Sequence, residues 1–193
     1  MYVQFNTTIR CQDCLKKQGS FDEIVIATGS TRKTLTINGF DKTIDAVDYL
    51  SKNIDVGKNP LVIGGGLTGC EIAYDLCLKG IKPIIIEINN DLMATKGICM
   101  ANSTYLRDYF ALHKIPVHLN SFVKEVLGDG VIVSTNDGNE TYVKCSGVIS
   151  SIGYTPAPIL NKKTPHVYYV GDCHQVGNLR TVIWRAWDVA MKL

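Results

Sequence analysis

Apolar and polar positions alternate along this chain in two distinct rhythms. Residues 60–63 (Pro-Leu-Val-Ile) form a short apolar run that ends in Gly64-Gly65-Gly66-Leu67-Thr68-Gly69. From Cys70 to Lys79 the apolar residues fall at 72, 73, 76 and 77, the spacing of one helix face, and Gly80 is placed to end that helix. Pro83 to Glu87 is a compact apolar run suited to a buried strand. Strand, helix and strand in this order predict a βαβ unit and therefore a parallel sheet. A second helix is predicted around Tyr105, Leu106, Tyr109 and Phe110, capped by Asn102 or Ser103, followed by a strand over 115–119.

Beyond residue 120 the rhythm shortens. Residues 122–127, 131–134 and 141–145 read as short strands, separated by Gly128-Asp129-Gly130 and Asn136-Asp137-Gly138 turns, which predicts an antiparallel meander. Residues 147–153 form another buried strand with Gly153 at its exit. The flanks carry a strand over 21–30, a strand over 167–172 ending in Gly171-Asp172, a closing helix over 179–192 with Trp184 and Trp187, and a strand at Tyr2–Phe5. Ile24–Gly29 and Val148–Gly153 echo one another, each an apolar strand ending in a small residue and glycine. The fold class expected is α/β: a Rossmann-like parallel sheet with a β-meander.

Composition narrows the function classes. The 193 residues are 46% hydrophobic and 20% charged, with a net charge of +2. A disordered chain is excluded, and a basic nucleic-acid-binding arm does not fit. No apolar run approaches the ~18 residues of a membrane span. No secretory signal precedes the first strand, and the seven cysteines are odd in number and mostly set in apolar runs. Free thiols and a cytoplasmic setting follow as expectations.

Gly64-x-Gly66-x-x-Gly69 fits a dinucleotide fingerprint. The first glycine permits the turn, the second lets the backbone approach a pyrophosphate, and the third lets helix and strand pack closely. The helix start adds unpaired N–H groups and partial positive charge. Glu87 ends the next strand, 21 residues beyond Gly66, close to the ~20 expected of a carboxylate that receives ribose hydroxyls. It would repel a 2′-phosphate, and Ile88, Asn89 and Asn90 offer no arginine to neutralise one, which favours NAD(H) over NADP(H). An S-adenosylmethionine-type ligand or an unliganded β–α turn remain alternatives. Glu71 either meets the cofactor or stabilises the helix dipole. Cys11-x-x-Cys14 is either a redox pair, half of a metal site or a surface turn. The scattered histidines show no ligand spacing, and His174 alone lies near Asp172.

Ile-Ala-Thr-Gly-Ser at 26–30, the fingerprint followed by Cys70-Glu71, Ser-Ile-Gly-Tyr-Thr-Pro at 151–156 and Gly171-Asp172 resemble the two-dinucleotide-binding flavoproteins. The stretches 64–76, 98–109 and 170–190 resemble the C-terminal region of NADH:flavin oxidoreductases related to 2-enoate reductase and 2,4-dienoyl-CoA reductase. The resemblance implies an NAD(H)-binding domain over 40–153, set between remnants of an FAD-binding domain at 1–39 and 154–193. It implies NAD(H) contacts at Gly64, Gly65, Gly66, Leu67, Thr68, Gly69, Glu71, Glu87 and Gly153. It places Ala27, Gly29, Gly171 and Asp172 on the FAD side, with Asp172 receiving the ribityl chain. No residue is required as an acid–base catalyst or metal ligand. The FAD domain's own glycine fingerprint, the FMN barrel and the iron–sulfur cysteines of the family are not in the sequence. The chain is therefore expected to be part of a longer enzyme, with only part of an FAD site and with the flavin and iron–sulfur domains as its partners. A non-catalytic nucleotide-binding module and a disulfide reductase using Cys11 and Cys14 are the competing readings.

Overall fold

A computed structural model describes residues 7, 8, 10, 21–95, 97–160 and 164–193. The expected strand at Tyr2–Phe5 and the Cys11/Cys14 pair lie outside the described residues. The chain forms two compact units, residues 33–153 and residues 1–32 with 154–193.

The first unit is built on a five-stranded parallel sheet. Its strands are β3 (Ile44–Asp45), β4 (Leu61–Ile63), β5 (Ile84–Ile86), β6 (Val117–His118) and β10 (Val148–Ser150), in the order β3-β10-β4-β5-β6. Helices α1 (Ala46–Lys52), α2 (Leu67–Leu78) and α3 (Met100–Leu112) join them. After β6 the chain enters an antiparallel meander of β7 (Ser121–Val126), β8 (Gly130–Thr135) and β9 (Glu140–Lys144) before β10 returns to the sheet.

The central strands β4 and β5 read as unbroken apolar runs because both faces are covered. Val62, Ile85 and Ile149 face the helices and pack with Cys70, Ile72, Ala73, Leu76, Leu106 and Phe110. Leu61, Ile63, Ile86 and Val148 face the meander and pack with Val123, Val126, Val131 and Val133. The result is three layers: helices, parallel sheet, antiparallel meander.

Local chemistry sets the element ends. The Asp45 carboxylate accepts the Val47 N–H at 2.9 Å and caps α1. Gly80 takes φ +76° just beyond α2, and the Ile81 N–H donates to the Leu76 carbonyl, closing the helix as its sequence predicts. α2 itself begins at Leu67, inside the glycine run, so its first turn belongs to the loop that the spacing assigns to a turn. α3 begins at Met100, not at Asn102 or Ser103. The Ser103 hydroxyl instead donates to the Met100 carbonyl within the helix, at 3.0 Å.

The second unit is smaller. β1 (Ile24–Ile26) pairs in parallel with β12 (Val167–Tyr169), and β2 (Ser30–Arg32) pairs antiparallel with β11 (Tyr154–Pro156). Helix α4 (Leu179–Ala190) starts with a reciprocal cap: Asn178 Oδ1 accepts the Thr181 N–H, and the Asn178 N–H donates to Thr181 Oγ1. Trp184 and Trp187 are 60% and 58% exposed, so neither belongs to a core.

The described cysteines Cys70, Cys77, Cys99, Cys145 and Cys173 are free thiols. Cys70 is fully buried, and burial, with the nearby Glu87 charge, pushes its thiol up to about 12. A raised folded pKa contributes stability that is complete below the unfolded thiol's value and is lost as pH climbs toward the folded one. Unfolding free energy is therefore expected to fall from about pH 9 upward, less steeply in Cys70→Ala, as read by urea denaturation across pH. Phe110, 2% exposed, anchors α3 to the sheet. Its truncation to alanine is expected to cost about 3–5 kcal/mol in the same measurement, and a loss under about 1 kcal/mol would contradict this packing.

Candidate functional site

The parallel sheet has one place where its strand order reverses. From β4 the chain steps outward through β5 and β6, and β10 and β3 lie on the other side of β4. In open α/β sheets the crevice beyond the carboxyl ends of such neighbouring strands is where ligands are received. The glycine run leaves β4 at this point, and residues 151–153 leave β10 beside it.

Each glycine of the run meets a different physical demand. Gly64 takes φ +101°, and a Cβ there would lie 2.4 Å from the Ser151 carbonyl oxygen. At Gly69 a Cβ would lie 1.9 Å from the Gly64 carbonyl oxygen, so any side chain would push α2 off β4. At Gly65 it would meet Leu92 Cδ2 at 2.5 Å. Gly66 is different: its φ is an ordinary −68°, and a Cβ would meet nothing within 4 Å. The space over Gly66 is open, and only there does the protein itself impose no need for glycine. Gly66 is also the N-cap of α2, with no side-chain cap bond and no acid in the first turn. The N–H groups of Leu67, Thr68 and Gly69 find no acceptor among the described residues. The site thus combines open space, orphan donors and a helix N-terminus, which suits a diphosphate.

Glu87 is buried at 6% exposure just beyond β5. Its Oε2 accepts the Gly65 N–H at 2.5 Å. Its Oε1 accepts the Asn89 N–H at 2.8 Å and the Asn89 Nδ2–H at 2.5 Å. The Gly65 carbonyl in turn accepts the Met93 N–H at 2.7 Å and the Cys70 thiol at 3.3 Å. The segment after β5 therefore grips Gly65 by both of its backbone polar groups. That segment is held in turn by Arg107 of α3, which donates in parallel to both Asp91 carboxylate oxygens at 2.9 and 2.8 Å and also to the Leu92 carbonyl. Sequence reading missed Asn89, Met93 and Arg107 as supports. An exposed asparagine and a helical arginine carry no spacing signal for this role.

The remaining expected residues sit as follows. Glu71 is exposed on α2. Gly153 is exposed at φ +90°, and its carbonyl accepts the Lys33 N–H at 3.0 Å. In the smaller unit, Ala27 and Gly29 follow β1 while Gly171 and Asp172 follow β12, and the parallel pairing of those strands brings the two exits together. Asp172 Oδ1 accepts the Gly177 N–H at 3.2 Å, and Oδ2 accepts the Ser30 hydroxyl at 3.4 Å. His174 is exposed. Among the described residues no group of three or more His, Cys, Asp or Glu is placed to hold a metal, and no helix is long and apolar enough to cross a membrane.

Residues 6–192 match the pyridine nucleotide-disulphide oxidoreductase family. Cinnamate reductase of Clostridium sporogenes is 35% identical over 182 residues, a match spanning 92% of this chain and 27% of that protein. NADH oxidase of Thermoanaerobacter brockii is 29% identical over 183 residues, spanning 89% of this chain and 28% of that protein. A solved structure of 2-naphthoyl-CoA reductase in complex with 2-naphthoyl-CoA has the same fold, with a TM-score of 0.80 at 23% identity over 98% of this chain and 29% of that one. The chain thus spans little more than a quarter of the length of these relatives. Family members bind NAD(H) and FAD, and the cinnamate reductase match relates the chain to the 2-enoate reductase type. With the crevice, the glycine run and nearly every residue falling within one family match, this chain belongs to the pyridine nucleotide-disulphide oxidoreductase family.

Proposed function

We propose that this chain is the NADH-binding part of a flavin-dependent oxidoreductase, with residues 40–153 as the NAD(H)-binding domain and residues 1–39 and 154–193 as parts of an FAD-binding domain. The observation that carries this reading is the open space over Gly66, beside the orphan N–H groups that start α2, with Glu87 held against the neighbouring Gly65. The cofactors, when bound, supply a hydride transfer from NADH to FAD, and the longer enzyme uses the electrons to reduce an activated carbon–carbon double bond.

The chain's own residues bind and orient. Gly64 and Gly65 shape the turn that lets the Gly66 backbone approach the pyrophosphate, and Leu67, Thr68 and Gly69 present N–H donors to it. Glu87 receives the adenosine ribose and repels a 2′-phosphate. Glu71 and Gly153 border the path toward the nicotinamide. On the FAD side Ala27, Gly29 and Gly171 allow close approach. Asp172 retains acceptor capacity for a ribityl hydroxyl, since among the described residues each of its oxygens accepts one donor. Chemistry in such a site comes from positioning and electrostatics. The flavin and iron–sulfur domains that would take the electrons belong to the longer enzyme of this reading.

Calorimetric titration tests it. NADH is expected to bind, and NADPH to bind at least roughly tenfold more weakly, because its 2′-phosphate would stand beside the Glu87 carboxylate. Equal affinity would remove Glu87 from the ribose role. Gly66→Val is expected to abolish NADH binding while lowering the thermal midpoint far less than Gly69→Ala, because a Cβ at Gly66 meets nothing within 4 Å and the fold bears only the loss of a favourable N-cap residue. Gly69→Ala is expected instead to lower the midpoint, because its Cβ strikes backbone. Retained NADH affinity in Gly66→Val would sink the placement of the pyrophosphate.

A further inference from the structure

The three donors on Glu87 are not equivalent. An ionised carboxylate offers about four lone-pair positions. The Gly65 N–H takes one on Oε2, and the Asn89 backbone and side-chain N–H groups take two on Oε1. Two of these donors are backbone, fixed by the glycine run and by the turn after β5. The third, the Asn89 carboxamide, belongs to an exposed side chain. It is the one donor that can swing away without moving the main chain.

We propose that Asn89 is a specificity-determining residue: its carboxamide stands on Glu87 where a ribose hydroxyl is received, and nucleotide binding exchanges the one for the other. This rests on the NADH reading above and adds to it. Of the two vicinal hydroxyls of an adenosine ribose, one takes the remaining position on Oε2 and the other takes the position that Asn89 vacates on Oε1. The exchange swaps an N–H donor for an O–H donor, so the carboxylate stays satisfied with or without ligand. That is the physical advantage of the arrangement, because a buried carboxylate lacking partners is costly. It also sets a threshold. A ligand that presents only one hydroxyl fills the free position and leaves Asn89 in place. A ribose with both hydroxyls free must displace Asn89 and gains the second bond by doing so.

Asn89→Ala removes the competing donor and leaves both backbone donors in place. NADH is expected to bind this variant about threefold to tenfold more tightly than the unaltered chain, the effect of one hydrogen bond that no longer has to be broken. Inorganic pyrophosphate, which has no hydroxyls to present, is expected to bind both proteins equally. In 15N-labelled unaltered protein, the Asn89 side-chain amide signals are expected to move to the positions of a free carboxamide as NADH is added. Equal or weaker NADH binding by Asn89→Ala overturns the exchange and leaves the NADH reading standing. A gain shared by pyrophosphate, or amide signals that stay in place on saturation, also overturns it. NADH binding to neither protein removes the reading itself and this inference with it.

Discussion

The start of α2 lies against the end of β4 at a distance that only glycine permits. A Cβ at Gly69 would come within 1.9 Å of the Gly64 carbonyl oxygen, and one at Gly64 would strike the backbone of Ser151. This double approach draws three elements together: the strand that enters the loop, the helix that leaves it, and the chain leaving β10. The helix N-terminus is thereby aimed into the crevice where the strand order reverses. Without that contact the orphan N–H groups of the first turn would still exist, but they would not converge on one place.

A second layer of contacts makes the loop rigid. Gly65 is held through its N–H by Glu87 and through its carbonyl by Met93 and Cys70. Met93 adopts φ +52°, a conformation uncommon for a residue with a side chain, and both its buried side chain and its bonded N–H hold it there. The Arg107 fork on Asp91 ties the same segment to α3. Preorganisation of this kind lowers the ordering cost of binding. It also fixes the Glu87 carboxylate, which accepts the Gly65 N–H and both Asn89 donors. The smaller unit repeats the idea in simpler form, with Asp172 holding the Ser30 hydroxyl and the Gly177 N–H beside the exits of two parallel strands.

Much of this was legible in the sequence, for reasons that differ by element. The β4–α2–β5 unit and the β7–β9 meander announce themselves because helix and strand periodicities and glycine turns are local signals. β3, α1 and the β2–β11 pair were not foreseen. β3, β2 and β11 are as short as β4 and β5 but lack their apolar run, and become strands because a neighbour offers hydrogen bonds. The start of α3 was misplaced because Ser103 has the character of a cap yet is buried inside the helix. Trp184 and Trp187 stand exposed on their helix, and periodicity alone does not say which face finds a partner.

By itself, then, the sequence determined the parallel-sheet class, the position of the glycine run after a strand and before a helix, and an acid at the end of the following strand. Each of these follows from residue type and spacing within some thirty positions of chain. Only the tertiary structure decided that, of the glycines between β4 and α2, Gly66 is the one that faces open space, that Glu87 spends two of its lone pairs on backbone donors and a third on Asn89, and that Arg107 steadies the segment between them. Those facts depend on groups brought together from β4, β5 and α3, and distances across such contacts are set by packing, which no local pattern of residues encodes.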